Sequence, residues 1–175
     1  MPPKIITREP ATDEATMRER STRIVAGLLD LDITHAVGVA DNMSRFIFDE
    51  LNEDPSVSVV PVCREGEAWA IASGLWVGGK RPVVLIQNTG FLEAGDALRG
   101  TAVDMGVPLP ALIGYRGYRS LSTPTPDSVA SLFEPTLRAW GLPYHFLQEN
   151  KEGETLRAAF MEAQSLGQPV AVLMT

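Results

Sequence analysis

The sequence predicts an α/β protein: a doubly wound, mainly parallel six-stranded sheet with helices on both faces. Three observations predict it. Six short apolar runs rich in β-branched residues alternate with helical patterns along nearly the whole chain. No Asn-Gly type of hairpin turn joins any two of them, so the strands need helical crossovers and run parallel. The 175 residues suit one domain, read here as residues 1–175 with a flexible start over 1–12.

Taken in order, Met17, Ile24, Val25, Leu28 and Leu29 recur at helical spacing and give a first helix. The runs His35–Val39, Val57–Pro61, Pro82–Gln87, Leu109–Gly114, Pro143–Leu147 and Val170–Met174 read as buried strands. Between them, Asn42–Leu51, Glu65–Val77 and Glu154–Ser165 each line one face with apolar side chains and read as amphipathic helices. Tyr115 to Glu134, rich in Gly, Ser, Thr and Pro, exceeds an ordinary connection and reads as a functional loop. Pro135 then fits the first turn of a helix over Thr136–Trp140.

Charge and composition narrow the function. With 22 acidic against 15 basic residues the net charge is −7, and no basic patch offsets it. Phosphate backbones and anionic lipid are repelled, so neither nucleic acid nor a membrane surface is expected as a partner. The first twenty residues are polar and mixed in charge, and the longest apolar runs, such as Val83–Ile86, fall far short of a membrane span; a cytoplasmic protein is expected. One cysteine, Cys63, and two histidines, His35 and His145, leave no intrachain disulfide and no zinc-ligand spacing, and no metal site is expected on this chain.

In a parallel sheet, ligands bind at the carboxyl ends of the strands. The residues there are Ala40-Asp41-Asn42, Cys63-Arg64-Glu65, Asn88-Thr89-Gly90-Phe91 and Tyr115-Arg116-Gly117, four sets that converge on one rim. Three familiar signatures are refused. Gly74 to Lys80 satisfies seven positions of a phosphate-binding loop, but Arg81 replaces the required Ser/Thr, and a helix ends there instead of beginning. Gly78-Gly79 reads instead as a helix C-cap with Lys80 and Arg81 at the negative helix end. Neither G-x-G-x-x-G after a strand nor G-x-S-x-G occurs, so dinucleotide-binding and hydrolase signatures are missing. Cys63 is either a nucleophile or a small buried residue at a strand end, the second being commoner. His35 and His145, at or inside apolar strands, read as structural.

The stretch Arg64-Glu65-x-x-Ala68-x-x-Ile71-Ala72-x-Gly74, followed by Gly79-Lys80-x-Pro82 and a strand ending Gln87-Asn88-Thr89-Gly90, resembles the pyrimidine-binding (Pyr) domain of thiamine diphosphate-dependent 2-oxoacid decarboxylases. It is most similar to the sulfopyruvate decarboxylase alpha subunit and phosphonopyruvate decarboxylase group. Gly38-Val39-Ala40-Asp41-Asn42 resembles that group's first substrate-side loop, and Gly114-Tyr115-Arg116-Gly117 its Gly-Trp-Arg-Gly. The similarity runs from about Ile24 to Met174.

The resemblance implies a lyase subunit. Thiamine's thiazolium must lose a proton, and a carboxyl hydrogen-bonded to the aminopyrimidine nitrogen drives that loss. The resemblance gives this catalytic and cofactor-binding role to Glu65, in an apolar setting; the plainer reading of a first-turn glutamate is that it favours the helix dipole, and both can hold. Glu67 has only that plainer role. Gln87, Asn88, Thr89, Gly90 and Phe91 would lie beside the aminopyrimidine, or form an ordinary turn with Thr89 as N-cap. For substrate, Arg116 pairs with an anionic group of the 2-oxoacid or is a solvated loop arginine; Asp41 and Asn42 reach substrate or cap the next helix.

The family's diphosphate and Mg²⁺ are held by a Gly-Asp-Gly motif with a later Asn, and this sequence contains no Gly-Asp-Gly. The resemblance therefore implies a homodimer of this chain, with paired Pyr domains about a two-fold axis, plus a separate diphosphate-binding subunit that shares the thiamine diphosphate and holds Mg²⁺. Phe91-Leu92-Glu93 departs from the Leu-Gly-Asn that usually follows in the sulfopyruvate group. A bulky aromatic and an extra carboxylate facing the pocket would change which 2-oxoacid fits. Two alternatives stand beside this reading: a catalytically silent homodimeric scaffold, and a flavodoxin-like small-molecule-binding module.

Overall fold

The computed structural model describes residues 13–175; the flexible start expected over 1–12 lies outside the described residues. Six strands, β1 (His35–Gly38), β2 (Ser58–Pro61), β3 (Pro82–Gln87), β4 (Pro110–Gly114), β5 (Tyr144–Phe146) and β6 (Val170–Met174), form one sheet in the order β2-β1-β3-β4-β6-β5. Every neighbouring pair is parallel, as the missing hairpin signals predict. Helices α1 (Glu14–Leu29), α2 (Arg45–Glu53) and α7 (Glu152–Leu166) cover one face. The other carries α3 (Glu65–Val77), α4 (Asn88–Glu93), α5 (Gly95–Leu98) and α6 (Ser128–Ala139).

The period of two along β3 shows how one strand serves both layers. Val83 and Leu85 pack with Ile24, Leu28, Leu51 and Phe160, while Val84 and Ile86 pack with Trp69, Phe91, Leu98 and Phe133. Central strands are therefore apolar without interruption. The expectation of six buried strands is corrected at the edges: β2 and β5 are half-buried to exposed, because each has a neighbour on one side only. Pro61 fits an edge strand, where its missing N–H costs nothing.

Between β3 and β4 the chain forms α4, α5 and a π-helical turn, Arg99–Val103, where the sequence suggests only a turn leading into a helix. The functional loop expected over Tyr115 to Glu134 is also corrected. It holds a 3₁₀ turn, Tyr118–Ser122, and the first half of α6. Asp127 caps that helix, accepting from the Val129 N–H at 3.0 Å. Pro135 thus lies inside α6 rather than opening a helix. The buried stripe Ala130, Phe133 and Leu137 crosses the proline, and its packing outweighs the lost backbone bond.

The C-cap at Gly78 stands as read: Gly79 takes φ +76, with N–H groups of Gly79 and Lys80 returning to Trp76 and Leu75, each at 2.9 Å. Cys63 is exposed, against the expected burial, because β2 is an edge. His35 opens β1 at the far end of the sheet from the rim. Burial, then Lys80, lowers its pKa. His145 bonds Glu162 at 2.6 Å.

Pro135 is exposed and leaves the Ser131 carbonyl without its helical donor. Pro135→Ala should therefore stabilise the protein by about 2–2.5 kcal/mol: the helix-interior penalty of about 3, less the roughly 0.4–1 of entropy returned to the unfolded chain. Urea unfolding checks this; if Pro135 began the helix, the substitution would give no gain.

Candidate functional site

The strand order reverses across β1, which has β2 on one side and β3 on the other, so the crevice expected of such sheets opens between the carboxyl ends of β1 and β3. Asp41, just past β1, occupies it. Its Oδ1 accepts from the N–H groups of Met43 (2.9 Å) and Ser44 (2.8 Å) and from the Ser44 hydroxyl (2.7 Å). Its Oδ2 accepts from Gln87 Nε2 at 2.8 Å. Three donors converge on Oδ1 and one reaches Oδ2. Asp41 therefore secures the turn into α2 and orients Gln87, whose Oε1 in turn accepts from the Thr89 hydroxyl at 3.0 Å. Thr89 is exposed and not the N-cap; that position is Gln87. Asn42 is exposed, and no side-chain hydrogen bond engages it among the described residues.

Glu65, the first residue of α3, is half-buried, and its carboxyl makes no hydrogen bond or ion pair among the described residues. It rests on the backbone of Gly90: a Cβ added there would lie 2.1 Å from Glu65 Cδ and Oε1. Only glycine permits that approach. Neighbouring carboxylates are otherwise committed. Glu67 caps the helix, accepting from the N–H groups of Cys63 (3.1 Å) and Arg64 (3.2 Å). Glu93 pairs with Arg64 on the surface and so is not the pocket-facing charge considered from sequence.

Phe91 is corrected as well. Its ring is fully buried, 5.2 Å from Phe133 and 5.6 Å from Trp140 between centroids, so it supports the turn from beneath instead of walling the crevice. Asn88 is also buried, and its Nδ2 donates to the Arg116 carbonyl at 3.0 Å. Arg116 is half exposed, with its guanidinium 3.7 Å from the Asp127 carboxylate. Beneath it the Tyr115 hydroxyl bonds the Ala130 carbonyl and Glu134, both at 3.1 Å. Burial, then that bond to Glu134, raises the phenol's pKa and keeps it a donor.

The structure thus links three of the four rim sets directly, through Asp41–Gln87 and Asn88–Arg116, and the fourth by the contact of Glu65 with Gly90. Asp127 is the residue sequence reasoning missed. Its signal was present: an Asp before Ser128-Val129-Ala130, with Phe133 and Leu137 continuing the apolar period. Among the described residues no group of three or more His, Cys, Asp or Glu is arranged to hold a metal, and no helix is long and apolar enough to cross a membrane.

A family model for the N-terminal TPP binding domain of thiamine pyrophosphate enzymes matches residues 19–139. The sulfopyruvate decarboxylase subunit alpha of Methanothermobacter thermautotrophicus is 29% identical over 99 residues, covering 57% of this chain and 60% of that one. The subunit of the same name from Methanocaldococcus jannaschii is 23% identical over 154 residues, 87% of this chain and 91% of that one. Phosphonopyruvate decarboxylase of Streptomyces viridochromogenes is 30% identical over 94 residues, covering 54% of this chain and 24% of that one. Among solved structures, 2-oxoglutarate:ferredoxin oxidoreductase from Magnetococcus marinus superposes with a TM-score of 0.67 at 17% identity, covering 87% of this chain and 28% of that one; this likeness shows the fold.

Gly90→Ala tests the Glu65 seat. The added methyl collides with the far end of a flexible side chain, and alanine suits a helix better by about 1 kcal/mol, so the unfolding midpoint should not fall. The Glu65 carboxyl should move, read as a changed side-chain carboxyl ¹³C shift. An unchanged shift, or a large loss of stability, would contradict the contact.

Proposed function

Because the chain belongs to the thiamine pyrophosphate enzymes, as their N-terminal TPP binding domain, we propose that it is the pyrimidine-binding subunit of a heteromeric thiamine diphosphate-dependent decarboxylase acting on a 2-oxoacid. The observation that carries the reading is the Glu65 carboxyl, unpaired among the described residues and seated on Gly90 at the rim where the neighbouring carboxylates Glu67 and Glu93 are engaged. When bound, thiamine diphosphate would supply a nucleophilic thiazolium carbon. Glu65 would hold the aminopyrimidine by sharing a proton with its ring nitrogen, the acid–base role that activates such a cofactor. The turn from Gln87 to Gly90, held in place by Asp41 on one side and by buried Phe91 beneath, would border the ring with its backbone.

Arg116 takes an anionic group of the substrate. The relatives' names, sulfopyruvate and phosphonopyruvate decarboxylase, favour a small 2-oxoacid with a second anionic group. The diphosphate and Mg²⁺ fall to a separate partner chain, in keeping with relatives named as alpha subunits. A second copy of this chain pairs with the first through α3. Beyond its first turn that helix carries no charged side chain, which ordinarily marks a buried helix, yet Ile71 and Val77 face solvent on the element that carries Glu65.

Glu65→Gln in the assembled enzyme keeps size and an amide hydrogen bond but cannot share the proton. Turnover and cofactor C2–H exchange in D₂O should fall about 10²- to 10⁴-fold with assembly intact. Glu67→Gln keeps an oxygen that can accept from the Cys63 and Arg64 N–H groups and loses only its charge at the helix start, so it should cost about 0.3–1 kcal/mol of stability and little turnover. Near-normal exchange in Glu65→Gln, or failure of Glu67→Gln alone, would sink the assignment.

Val77→Glu, 63% exposed in the single chain, should leave folding unchanged and convert the dimer to monomer in sedimentation velocity. A dimer that persists places the two-fold elsewhere.

A further inference from the structure

Resting on the reading of Arg116 as the substrate's anion partner, we propose that Asn88 is the positioning residue for Arg116: from the buried end of β3 it clamps the backbone of the β4 loop and so fixes where the guanidinium stands. Asn88 is completely buried, an uncommon place for an amide. Its Nδ2 bridges 28 residues of sequence to reach the Arg116 carbonyl at 3.0 Å. Its Oδ1 is buried with no partner among the described residues. Turning the amide over would set that oxygen against the Arg116 carbonyl, acceptor on acceptor, so the chemistry fixes the orientation.

An amide that satisfies only its donor is a poor choice for stability, since a hydrocarbon of similar size would leave no orphaned acceptor. What the asparagine provides is a reach from one rim loop to the next. The chain leaving β4 is pinned at Tyr115, whose N–H donates to the Met174 carbonyl at 2.8 Å, and turns left-handed at Gly117, φ +80. Arg116 lies between these points. Its side chain is half exposed, and Asp127, at 3.7 Å, stands beyond hydrogen-bond reach. Among the described residues the Asn88 amide is the one donor to the Arg116 carbonyl.

Asn88 also sits between Gln87, which Asp41 holds, and Gly90, which seats Glu65. One turn therefore sets both the carboxyl that serves the cofactor and the cation that serves the substrate. The Gly90 carbonyl accepts from the Ala94 N–H at 2.8 Å, so the Glu65 seat has its own anchor and does not depend on the Asn88 side chain. Losing the clamp should loosen Arg116 and spare Glu65.

The test uses the assembled enzyme with sulfopyruvate and phosphonopyruvate as probes, and the variants Asn88→Ala, Asn88→Asp, Arg116→Ala and the double Asn88→Ala/Arg116→Ala. Asn88→Ala should raise KM about tenfold with kcat within about twofold, and should add nothing once Arg116 is gone. Asn88→Asp is the conservative rescue: its protonated carboxyl can donate to the Arg116 carbonyl, so KM should approach the wild-type value at low pH and rise as the group ionises, a profile Asn88→Ala lacks. A fall in kcat with KM unchanged, or additive effects in the double variant, would overturn the proposal. If Arg116→Ala itself leaves KM unaltered, or neither probe is turned over, the substrate reading has failed, and amide hydrogen exchange on this chain decides the clamp. Asn88→Ala should then speed exchange at Gly117 and Tyr118 about tenfold while β3 stays protected; equal rates would overturn it.

Discussion

Everything at the rim depends on how closely β1 lies against β3. At Gly38 a Cβ would fall 1.7 Å from the Leu85 carbonyl oxygen, so no other residue allows the chain to leave β1 on this path. That oxygen accepts from the Val39 N–H at 3.1 Å, which carries the parallel pairing one residue past the strand. Asp41 is thereby delivered to Gln87, and the Asp41–Gln87 bond closes the crevice where the strand order reverses. The turn after β3 then places Asn88 against the β4 loop and Gly90 beneath Glu65. A backbone contact between two central strands is transmitted, bond by bond, to four strand ends.

Among the described residues, the rim gathers Asp41, Glu65, Glu67, Glu93 and Asp127 and leaves one of these carboxylates without a partner. Asp41 accepts from four donors, Glu67 from two backbone N–H groups, Glu93 pairs with Arg64, and Asp127 serves the α6 cap with Arg116 beyond it. Glu65 stands apart in having none. Carboxylates held by donors have little to offer a ligand, whereas a half-buried one with free lone pairs retains its capacity to share a proton. Selection by elimination of the neighbours' duties is stronger than selection by residue type, and it is independent of any family likeness.

What could be read from the sequence followed the strength of the local signal. Pro82–Gln87 and Val170–Met174 lie in the sheet interior, where both faces demand apolar side chains, and their bounds are legible to the residue. Edge strands bury one side only, so β2 and β5 were read longer and more buried than they are. Pro135 concealed α6 because a local rule about prolines competed with a stripe of buried side chains, and tertiary packing prevailed. Phe91 shows the limit of motif adjacency. On a helix, successive side chains diverge by about 100°, so when Gly90 faces Glu65 the next residue turns into the core. Glu65, Asn88 and Arg116 were singled out correctly as neighbours on one rim, but which atom of each faces which partner is a property of the folded turn.

Net charge poses a last problem for the proposed reading, since a protein carrying −7 repels an anionic 2-oxoacid before it arrives. Two arginines stand near the rim, and they differ in readiness. Arg64 is in direct contact with Glu93, so an anion would have to break that pair first. Arg116 is half exposed and 3.7 Å from Asp127, too far for a hydrogen bond, so that pairing holds the guanidinium loosely. Exchanging Asp127 for a substrate carboxylate therefore costs Arg116 little, and Asp127 keeps its own bond to the Val129 N–H when the arginine turns away. A cation held by its backbone and only loosely by its charge partner is positioned without being neutralised, which is the condition an anion-binding residue on an acidic protein has to meet.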